Sequence, residues 1–400
     1  MSGVLAGVRV LDLTNVLAGP FCAYQLAQLG ADVLKVETPG TGDLARVLGA
    51  DPALAAKLMG ASFLAQNAGK RSMTLNLKSE AGKAVFRKLV TGADVVVENF
   101  RPGVMDRLGL GYEALSAVNP KLVYCAISGF GQSGPMRAAP AYDQIVQGLS
   151  GVMSITGDAD SAPLRVGYPV ADSIGGITAA FSISSALVGA ARTGEGAFID
   201  VSMLDATLAT MGWIVSNYLI VGQEPTPMGN DNFTAAPSGA FATADGLLNI
   251  AANKQEQFVA LAKLIGREDL IADARFSQRE ARKQHRKALT VEVEAGLASK
   301  SAAEWEPLFN AVGVPAGRVL TVPQALDLDQ VRERGLVHTF DHVEALGRPI
   351  SVCLAGFKMS GKEPAVDRPP PVLGADTDAV LADLGYTATQ IAELREGGAL

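Results

Sequence analysis

The sequence predicts an α/β protein whose larger domain is an open, doubly wound parallel sheet with helices on both faces. Short apolar runs typical of buried strands recur along the first third of the chain, at residues 8–13, 32–37, 72–77, 94–98 and 122–128. Helical stretches alternate with them, which is typical of parallel sheets. Hydrophobic residues make up 48% of the 400 residues, which allows a large core and excludes a disordered chain.

The first elements form one βαβ unit. Val8–Leu13 predicts a strand, Pro20–Leu29 a helix and Asp32–Glu37 the second strand. Since the two strands are expected to be parallel, the crossover between them is right-handed. Further along, Glu80–Thr91 and Tyr112–Val118 predict amphipathic helices on either side of the fourth strand.

Helical patterns dominate residues 172–221. Two uncharged stretches within them, Ser173–Ala191 and Ala206–Gly222, approach the length that spans a bilayer. Because both contain many small and polar residues and lack basic flanks on one side, we expect buried helices and no membrane contact.

A smaller domain is expected after these helices. Strand signals surround Asp245 and Gly246, and residues 255–309 are charged and helix-rich, with helices over Glu280–Leu297 and Ala302–Phe309. A last helix is expected at Ala388–Arg395. The predicted organisation is a Rossmann-like large domain over 1–220, a small α+β domain over 221–330 and a C-terminal segment, 331–400, that returns to the large domain.

Charge and cysteine content exclude several classes of protein. Lys and Arg total 34 against 41 for Asp and Glu, so a net charge of −7 provides no general attraction for nucleic acid or an anionic membrane. Charged residues make up only 19%, which indicates surface hidden between subunits or domains. Cys22, Cys125 and Cys353 lack zinc-site or disulfide spacing, and the N-terminus is typical of a first strand rather than a signal peptide. We expect a cytoplasmic protein.

Histidine is confined to three positions, His285, His338 and His342. A histidine-dependent triad in the N-terminal domain is therefore excluded. His338 and His342 are four residues apart, which on a helix would place both on one face as metal ligands. Their neighbours are typical of ordinary surface, so we predict no metal site.

Three loops after predicted strands are candidate ligand sites. Asn15–Pro20 lacks the GxGxxG pattern, so a tight turn and a phosphate- or amide-binding loop are equally compatible with it, and the same holds for Thr38–Asp43. Asn99–Gly103 and Arg107 combine an aromatic ring with two guanidinium groups, which suits a purine and its phosphates. Lys78, with Lys70 and Arg71, can add to this basic rim; solvated surface arginines remain the alternative.

Asp172 is the carboxylate that local sequence singles out. It lies between Pro169–Ala171 and an uncharged stretch, at the expected start of a helix. One interpretation is an N-cap, which contributes about 1 kcal/mol to helix stability. The other is a nucleophile, with Gly175 and Gly176 allowing a thioester to approach the backbone and helping to stabilise an oxyanion.

These motifs together resemble the family III CoA-transferases, the CaiB/BaiF group, over essentially the whole chain. Each motif is short, and the match is specific because of their number and order. They are Val10–Thr14, Ala18–Pro20, Leu29–Glu37, Lys70–Ser72, Val97–Gly103, Gly129–Pro135, Ala141–Asp143, Ala171–Asp172 and Arg368–Pro371. The subgroup that the chain is most similar to comprises succinyl-CoA:dicarboxylate transferases of the glutarate type.

The resemblance implies roles for individual residues. Asp172 matches the catalytic aspartate, which forms an aspartyl anhydride and then an aspartyl-CoA thioester. CoA is then a cosubstrate, and no permanently bound cofactor is implied. The resemblance also implies a homodimer of interlocked rings. The positions that match CoA contacts are Val16, Leu17, Ala18, Leu75, Lys78, Asn99, Phe100, Arg101 and Arg107.

Four further residues are candidates for contact with the acyl or acid substrate. Arg46 and Arg165 can pair with a distal carboxylate, because a guanidinium recognises carboxylate through two parallel hydrogen bonds. Tyr142 and Asp143 belong to a motif that the family shares. The expected small partners are therefore an acyl-CoA and a carboxylic acid.

Two alternatives remain open. The family also contains 2-methylacyl-CoA racemases, which are similar here except that they carry a His where this chain has Tyr142 and a Glu near Gln255. Losing the imidazole removes the racemase base, so transferase chemistry is favoured. A dinucleotide-binding protein without acyl chemistry is disfavoured by the missing GxGxxG. Thr38 and Asp376 also depart from residues common in the family, an Arg and a His.

Overall fold

The computed structural model describes residues 3–400 as two compact units. The larger unit contains the residues up to Val152, then Arg165–Gln223 and Arg332–Leu400. The smaller unit contains Met153–Leu164 and Glu224–Val331. The large unit is therefore built from three segments of the chain, and the two segments of the small unit lie between them in sequence.

A parallel sheet is the centre of the large unit. Within residues 3–400 it has six strands, with the order β3-β2-β1-β4-β5-β6. The first two strands pair from Arg9 opposite Asp32 to Asp12 opposite Lys35, and β1 also pairs with β4 from Val10 opposite Val95. The strands are β1 (Arg9–Asp12), β2 (Asp32–Glu37), β3 (Arg71–Thr74), β4 (Val95–Glu98), β5 (Val123–Ser128) and β6 (Ala197–Ser202). This order confirms the predicted doubly wound α/β fold.

The helices of the large unit cover both faces of this sheet. Their hydrophobic sides form two clusters, one around Phe86 and Leu115 and the other around Ala23 and Ile183. Single 3₁₀ turns occur at Leu44–Val47 and Val152–Ile155. The helices up to the end of the second segment are α1 (Ala18–Gln28), α2 (Pro52–Ala56), α3 (Ala61–Leu64), α4 (Glu80–Val90), α5 (Val104–Arg107), α6 (Tyr112–Val118), α7 (Asp143–Leu149), α8 (Val170–Thr193), α9 (Met203–Thr210) and α10 (Trp213–Val221).

The small unit has its own core of helices packed on a short antiparallel sheet. Phe258, Phe276, Trp305 and Phe309 are buried there. Its strands are β7 (Ser238–Ala242), β8 (Leu247–Ala251) and β9 (Ala316–Arg318). Its helices are α11 (Gln255–Leu264), α12 (Asp269–Ala272), α13 (Arg279–Gln284), α14 (Arg286–Leu297), α15 (Ala302–Ala311) and α16 (Val322–Leu326), with α17 (Asp329–Glu333) at its end.

The C-terminal residues complete the large unit. An antiparallel hairpin, β10 (Val337–Val343) and β11 (Arg348–Cys353), precedes α18 (Thr377–Asp383) and α19 (Ala388–Glu396). At the edge strand β3, the Asp376 carboxylate accepts the Ser72 N–H at 2.9 Å, and the Asp376 N–H donates back to the Ser72 carbonyl. The departure at position 376 therefore supplies a partner for an exposed sheet edge.

One strand was not predicted, and one expectation is wrong. Residues 197–202 form β6 within the region where helices dominate, because Gly194 and Gly196 break the helix before an apolar–polar alternation. His338 and His342, for which no metal site is predicted, lie on strand β10 and do not share a helix face. In the part of the chain that the structure describes, no group of three or more His, Cys, Asp or Glu side chains is arranged to hold a metal.

The wrong expectation concerns the two uncharged stretches. Helix α8 is long and apolar enough to cross a membrane by length and composition, and α9 and α10 pass the same test as a bent pair. Helix α8 packs on α1, α7 and α9 and on the sheet. Helix α10 has no buried residue, and Leu219 and Ile220 are 74% and 79% exposed. The expectation that α10 is buried therefore fails within a single chain.

Candidate active site

The candidate site begins at the point where the strand order reverses, between β1 and β4. In doubly wound sheets, ligands bind in the crevice at this point, beyond the carboxyl ends of the strands. The loops that follow the two strands are joined by Asn99. Its side-chain oxygen accepts the Asn15 N–H at 2.8 Å, and its amide nitrogen donates to the Asn15 carbonyl at 2.8 Å. The two loops are thereby held together at this crevice.

A pocket of about 570 Å³ opens beside these loops. Its wall is mostly apolar, with Leu75 and Phe100 among the side chains and Lys78 as a cationic group. The complete lining is Leu13, Thr14, Asn15, Val36, Glu37, Thr38, Pro39, Leu75, Asn76, Leu77, Lys78, Phe100, Val104, Leu108 and Gly398. An elongated ligand with an aromatic ring and anionic groups suits this wall.

The residues predicted to contact CoA fall into three groups. Leu75, Lys78 and Phe100 line the pocket. Val16, Leu17 and Ala18 form the end of the β1 loop and the first residue of α1. Arg101 and Arg107 are exposed and do not line the pocket, although Arg107 ends α5, whose first residue Val104 does. The side-chain amide of Asn99 is occupied by Asn15, so it acts on the loop.

Asp172 lies in the first turn of α8. The helix begins at Val170, with Pro169 before it, so Asp172 is the third helical residue and not the N-cap. Among residues 3–400, no hydrogen bond to the Asp172 carboxylate is present, although the side chain is half-buried. Burial and the nearby carboxylate of Asp143 raise the pKa of Asp172 to about 7.

The capping role belongs instead to Asp143, from helix α7. Its Oδ1 accepts the Ala171 N–H at 2.9 Å and lies 3.4 Å from the Asp172 nitrogen. Its Oδ2 accepts a hydrogen bond from the Gln147 amide at 2.7 Å and lies 3.6 Å from the Arg165 guanidinium. Asp143 thus satisfies the free N–H groups of α8 and leaves the Asp172 carboxylate without a donor.

The two glycines after Asp172 have a packing role. A Cβ on Gly176 would lie 2.6 Å from the Ala18 carbonyl oxygen, and one on Gly175 would lie 2.8 Å from the Met203 side chain. They allow α8 to approach α1 and α9 closely, so the expectation that they face a thioester does not fit. Since residues four apart share a helix face, Asp172 lies on the same side as Gly176, towards the start of α1.

The two arginines expected to bind a distal carboxylate occupy very different surroundings. Arg46 is fully buried, and its guanidinium forms two 2.7 Å bonds with Glu37, donates to the Leu58 carbonyl and stacks on the ring of Phe63. A substrate contact at Arg46 therefore does not fit, because its donors already serve the protein. The Arg165 side chain is 43% exposed beside Asp143, so its guanidinium is accessible near Asp172.

The positions that distinguish racemases carry no acid–base pair here. Tyr142, which stands where racemases have histidine, is 67% exposed at the start of α7. Gln255 lies in the small unit, where its side-chain oxygen accepts from Arg282 at 2.9 Å. Thr38, the other departure from the family, lines the pocket and supplies a hydroxyl in place of a guanidinium.

Sequence reasoning missed the charged groups beneath the β1–α1 loop. Lys35 and Glu37 lie within a buried strand, and Asp12 ends another. Ionisable residues inside an otherwise apolar strand are rarely buried without a partner, and that signal was available in the run from Val33 to Glu37. Which groups they pair with depends on the fold.

Comparison with known proteins agrees with this geometry. A family model described as CoA-transferase family III matches residues 5–377. An acetyl-CoA:oxalate CoA-transferase of Acetobacter aceti is 40% identical over 92% of this chain and 92% of its own. A succinate–glutarate CoA-transferase of Agrobacterium fabrum is 39% identical over 95% of both chains. A solved CAIB/BAIF family protein from Brucella suis is 35% identical, covering 96% of this chain and 100% of its own, with a TM-score of 0.84.

Proposed function

Since this chain belongs to CoA-transferase family III, we propose that it transfers CoA from succinyl-CoA to a dicarboxylate acceptor through covalent intermediates on Asp172. The observation that carries the proposal is the environment of that carboxylate. It lies on the helix face that packs on the start of α1, has no hydrogen-bond donor among the described residues and has its pKa raised to about 7. A carboxylate deprived of donors is a stronger nucleophile than a paired one, because nothing stabilises its charge in the ground state.

In the first half of the reaction, an Asp172 oxygen attacks the thioester carbon of the acyl-CoA. The C–S bond breaks, and CoA leaves as a thiolate while a mixed anhydride forms on Asp172. The thiolate then attacks the aspartyl carbonyl carbon. The donor acid leaves as a carboxylate, and an aspartyl-CoA thioester remains.

In the second half, the acceptor carboxylate attacks the aspartyl thioester and displaces the thiolate again. The resulting anhydride joins Asp172 to the acceptor acid. Attack of the thiolate on the acceptor's carbonyl carbon releases the new acyl-CoA and restores the Asp172 carboxylate. No proton is gained or lost over the cycle, which agrees with the absence of histidine from residues 1–284.

The proposed acceptor class is supported by the names of the relatives. They act on oxalate, glutarate, citramalate and mesaconate, all of which are dicarboxylic acids. Arg165 is the accessible cation beside the α8 N-terminus. We infer that it pairs with the distal carboxylate of donor and acceptor alike.

The pocket beside β1 and β4 is proposed to hold the nucleotide part of CoA. Phe100 offers a ring for stacking the adenine, while Lys78 lies at the wall and Arg101 and Arg107 are exposed in the loop and helix after β4. Cationic groups of this kind neutralise phosphates. CoA serves here as a cosubstrate.

A homodimer is the proposed assembly. Exposed apolar side chains are concentrated on three helices of the large unit, with Ile145 and Leu149 on α7, Phe181 on α8, and Trp213 and Ile220 on α10. Large apolar side chains exposed in such number are typical of a subunit interface. Light scattering on the purified protein is expected to give twice the chain mass; a monomer at micromolar concentration would contradict this proposal.

Chemical trapping of the intermediate tests the proposed mechanism directly. The protein is incubated with succinyl-CoA, quenched with hydroxylamine and digested with trypsin. The tryptic peptide Val166–Arg192 contains Asp172 as its sole side-chain carboxylate, so a hydroxamate on it assigns the attacked residue without ambiguity. Asp143 falls in the preceding peptide, Ala138–Arg165, and a label there instead would contradict the assignment.

A second assay identifies the substrates and separates transferase from racemase activity. The protein is incubated in D₂O with succinyl-CoA, a 2-methylacyl-CoA and a mixture of carboxylic acids, and the acyl-CoA masses are measured. New thioesters of dicarboxylic acids are expected. Deuterium in the 2-methylacyl-CoA without any new thioester would show racemase chemistry instead.

A further inference from the structure

A network of buried charges lies beneath the β1–α1 loop. Asp12, Lys35 and Lys70 have no exposed surface, and Asp43 is 1% exposed. Lys70 pairs with Asp12 at 2.9 Å, and Lys35 pairs with Asp43 at 3.0 Å and with Asp12 at 3.8 Å. Lysine and aspartate are seldom fully buried unless they are paired in this way.

Each member of the network also holds the backbone of the loop. The Lys35 ammonium donates to the Thr14 carbonyl at 2.7 Å, and the Lys70 ammonium donates to the Pro20 carbonyl at 2.9 Å. Between these two points, the Asp43 carboxylate accepts the Val16 N–H at 2.9 Å. Side chains that are themselves fixed by ion pairs therefore hold the loop at its start and its middle, and hold the first turn of α1 that follows it.

The middle of the loop needs this restraint. Val16 has a φ of +69°, in the left-handed region that β-branched residues rarely adopt. The same Asp43 oxygen accepts the Ala45 N–H at 2.8 Å, so its position is set by the turn that follows β2. An apolar contact would not fix a peptide N–H in direction, whereas a buried carboxylate does.

The strained residue lies between the two functional parts of the site. Thr14 and Asn15, just before it, line the pocket. Ala18, just after it, is the residue that α8 approaches at Gly176, one turn from Asp172. A change in the backbone at Val16 would thus move the loop that runs from the pocket to the nucleophile.

We propose that Asp43 and Lys35 are positioning residues for CoA, which act by holding Val16 in its left-handed conformation. This inference rests on the proposed function, because it assumes that the loop is the surface along which the thioester end of CoA lies. Neither side chain touches the ligand. Their effect reaches it through the Val16 and Thr14 peptide groups.

The test is a double-mutant cycle on CoA binding, measured by calorimetry with free CoA. We expect Asp43→Asn to weaken binding by about tenfold or more, since the strained conformation loses its charged restraint. Adding Val16→Gly should recover most of this loss, because glycine adopts positive φ without a steric penalty. Val16→Asn, which also tolerates this region but is less flexible than glycine, provides a second test of rescue.

Steady-state kinetics distinguish positioning from a general loss of stability. The KM for acyl-CoA should rise in Asp43→Asn, while the KM for the acceptor acid stays unchanged. Val90→Ala is the matched control, because Val90 is a buried residue at the end of α4, before the amino end of β4, whereas the loop follows the carboxyl end of β1. It should lower the melting temperature and leave the KM for acyl-CoA unaltered.

Two outcomes would overturn the inference. One is an Asp43→Asn protein that melts at a lower temperature and binds CoA as well as the wild type. The other is that Asp43→Asn weakens CoA binding as much in the Val16→Gly background as it does with Val16 in place. Should Asp43→Asn fail to fold, Val16→Pro removes the same N–H and enforces negative φ with the charges intact, and unchanged CoA binding would then refute the proposal. Wild-type protein that binds no CoA would instead refute the proposed function.

Discussion

Two aspartates in the large unit have opposite surroundings. Asp12, at the end of β1, is fully buried; burial raises its pKa, yet the neighbouring ammonium groups of Lys35 and Lys70 bring it below the usual value. Asp172, at the start of α8, is also desolvated, but the charge that acts on it is another carboxylate, that of Asp143, and its pKa rises to about 7. One aspartate is stabilised as an anion and holds the fold, and the charged form of the other is destabilised.

The comparison shows that burial alone does not identify a functional carboxylate. Asp143 is buried too, and its oxygens accept hydrogen bonds from the α8 backbone and the Gln147 amide. What distinguishes Asp172 is the lack of any donor in the described chain, together with a position on the side of α8 that packs on the start of α1. Mutations at the two kinds of site should therefore separate activity from stability.

The largest effect is expected at Asp172. Asp172→Ala should lower the transfer rate by about 10³-fold or more, because the covalent route loses its nucleophile. CoA binding should persist, and the melting temperature should not fall, since a desolvated carboxylate without donors is removed. Turnover is measured by the formation of the new acyl-CoA, and substantial residual turnover would contradict covalent catalysis.

Asp12→Asn should have the opposite profile. It leaves Lys70 buried without its 2.9 Å counter-charge, and breaking a buried pair of this kind costs about 3–5 kcal/mol of folding free energy. Chemical denaturation of Asp12→Asn and Asp172→Asn side by side measures the difference. If both variants lose the same free energy of unfolding, the distinction between a structural and a reactive aspartate fails.

The two arginines sharpen the comparison at a smaller scale. Arg165→Met should raise the KM for a dicarboxylate acceptor by roughly tenfold, an effect of the size of one lost charge-assisted hydrogen bond. Acceptors with a single carboxylate should be unaffected. Arg46→Met should instead lower stability without a selective effect on dicarboxylates, because its guanidinium serves Glu37.

The smallest expected effect is a shift in pH dependence. Only the ionised Asp172 attacks the thioester, so the rate of acylation should be full above about pH 7 and fall as the pH drops through that value. In Asp143→Asn, the neighbouring negative charge is gone and the inflection should move to lower pH. Rapid-quench measurement of aspartyl anhydride formation between pH 5 and 9 checks the direction, and an unmoved inflection would exclude coupling between the two carboxylates.

Ionisation of Asp172 has the opposite effect on stability: it favours catalysis and opposes folding. The raised pKa of Asp172 means that the folded protein holds a proton that the unfolded chain has released, so this group favours folding at low pH and opposes it as the pH rises through about 7. Asp12, with its lowered pKa, contributes stability that is lost as the pH falls into the acid range. The contributions of Asp172 and Asp12 to folding stability thus change with pH in opposite directions.

Much of the fold could be predicted from local pattern. The strands from β1 to β5 and helix Tyr112–Val118 follow from apolar runs and helical periodicity. Strand β6 was missed although Gly194, Gly196 and its alternation indicate it, because its six residues lie between longer helical stretches. The exposure of α10 could not be predicted. An apolar sequence indicates that a helix is covered, but it does not show whether the same chain or another one covers it.

Sequence alone determined the sheet, the family resemblance and the choice of Asp172, because each depends on residue types in a fixed order along the chain. Tertiary structure alone decided which charges meet. Arg46 and Arg165 are the same residue type, yet Arg46 pairs with Glu37 in the core and Arg165 is exposed to solvent beside Asp143. Electrostatic energy depends on distance and on access to water, and both are set by the packing of segments far apart in the chain.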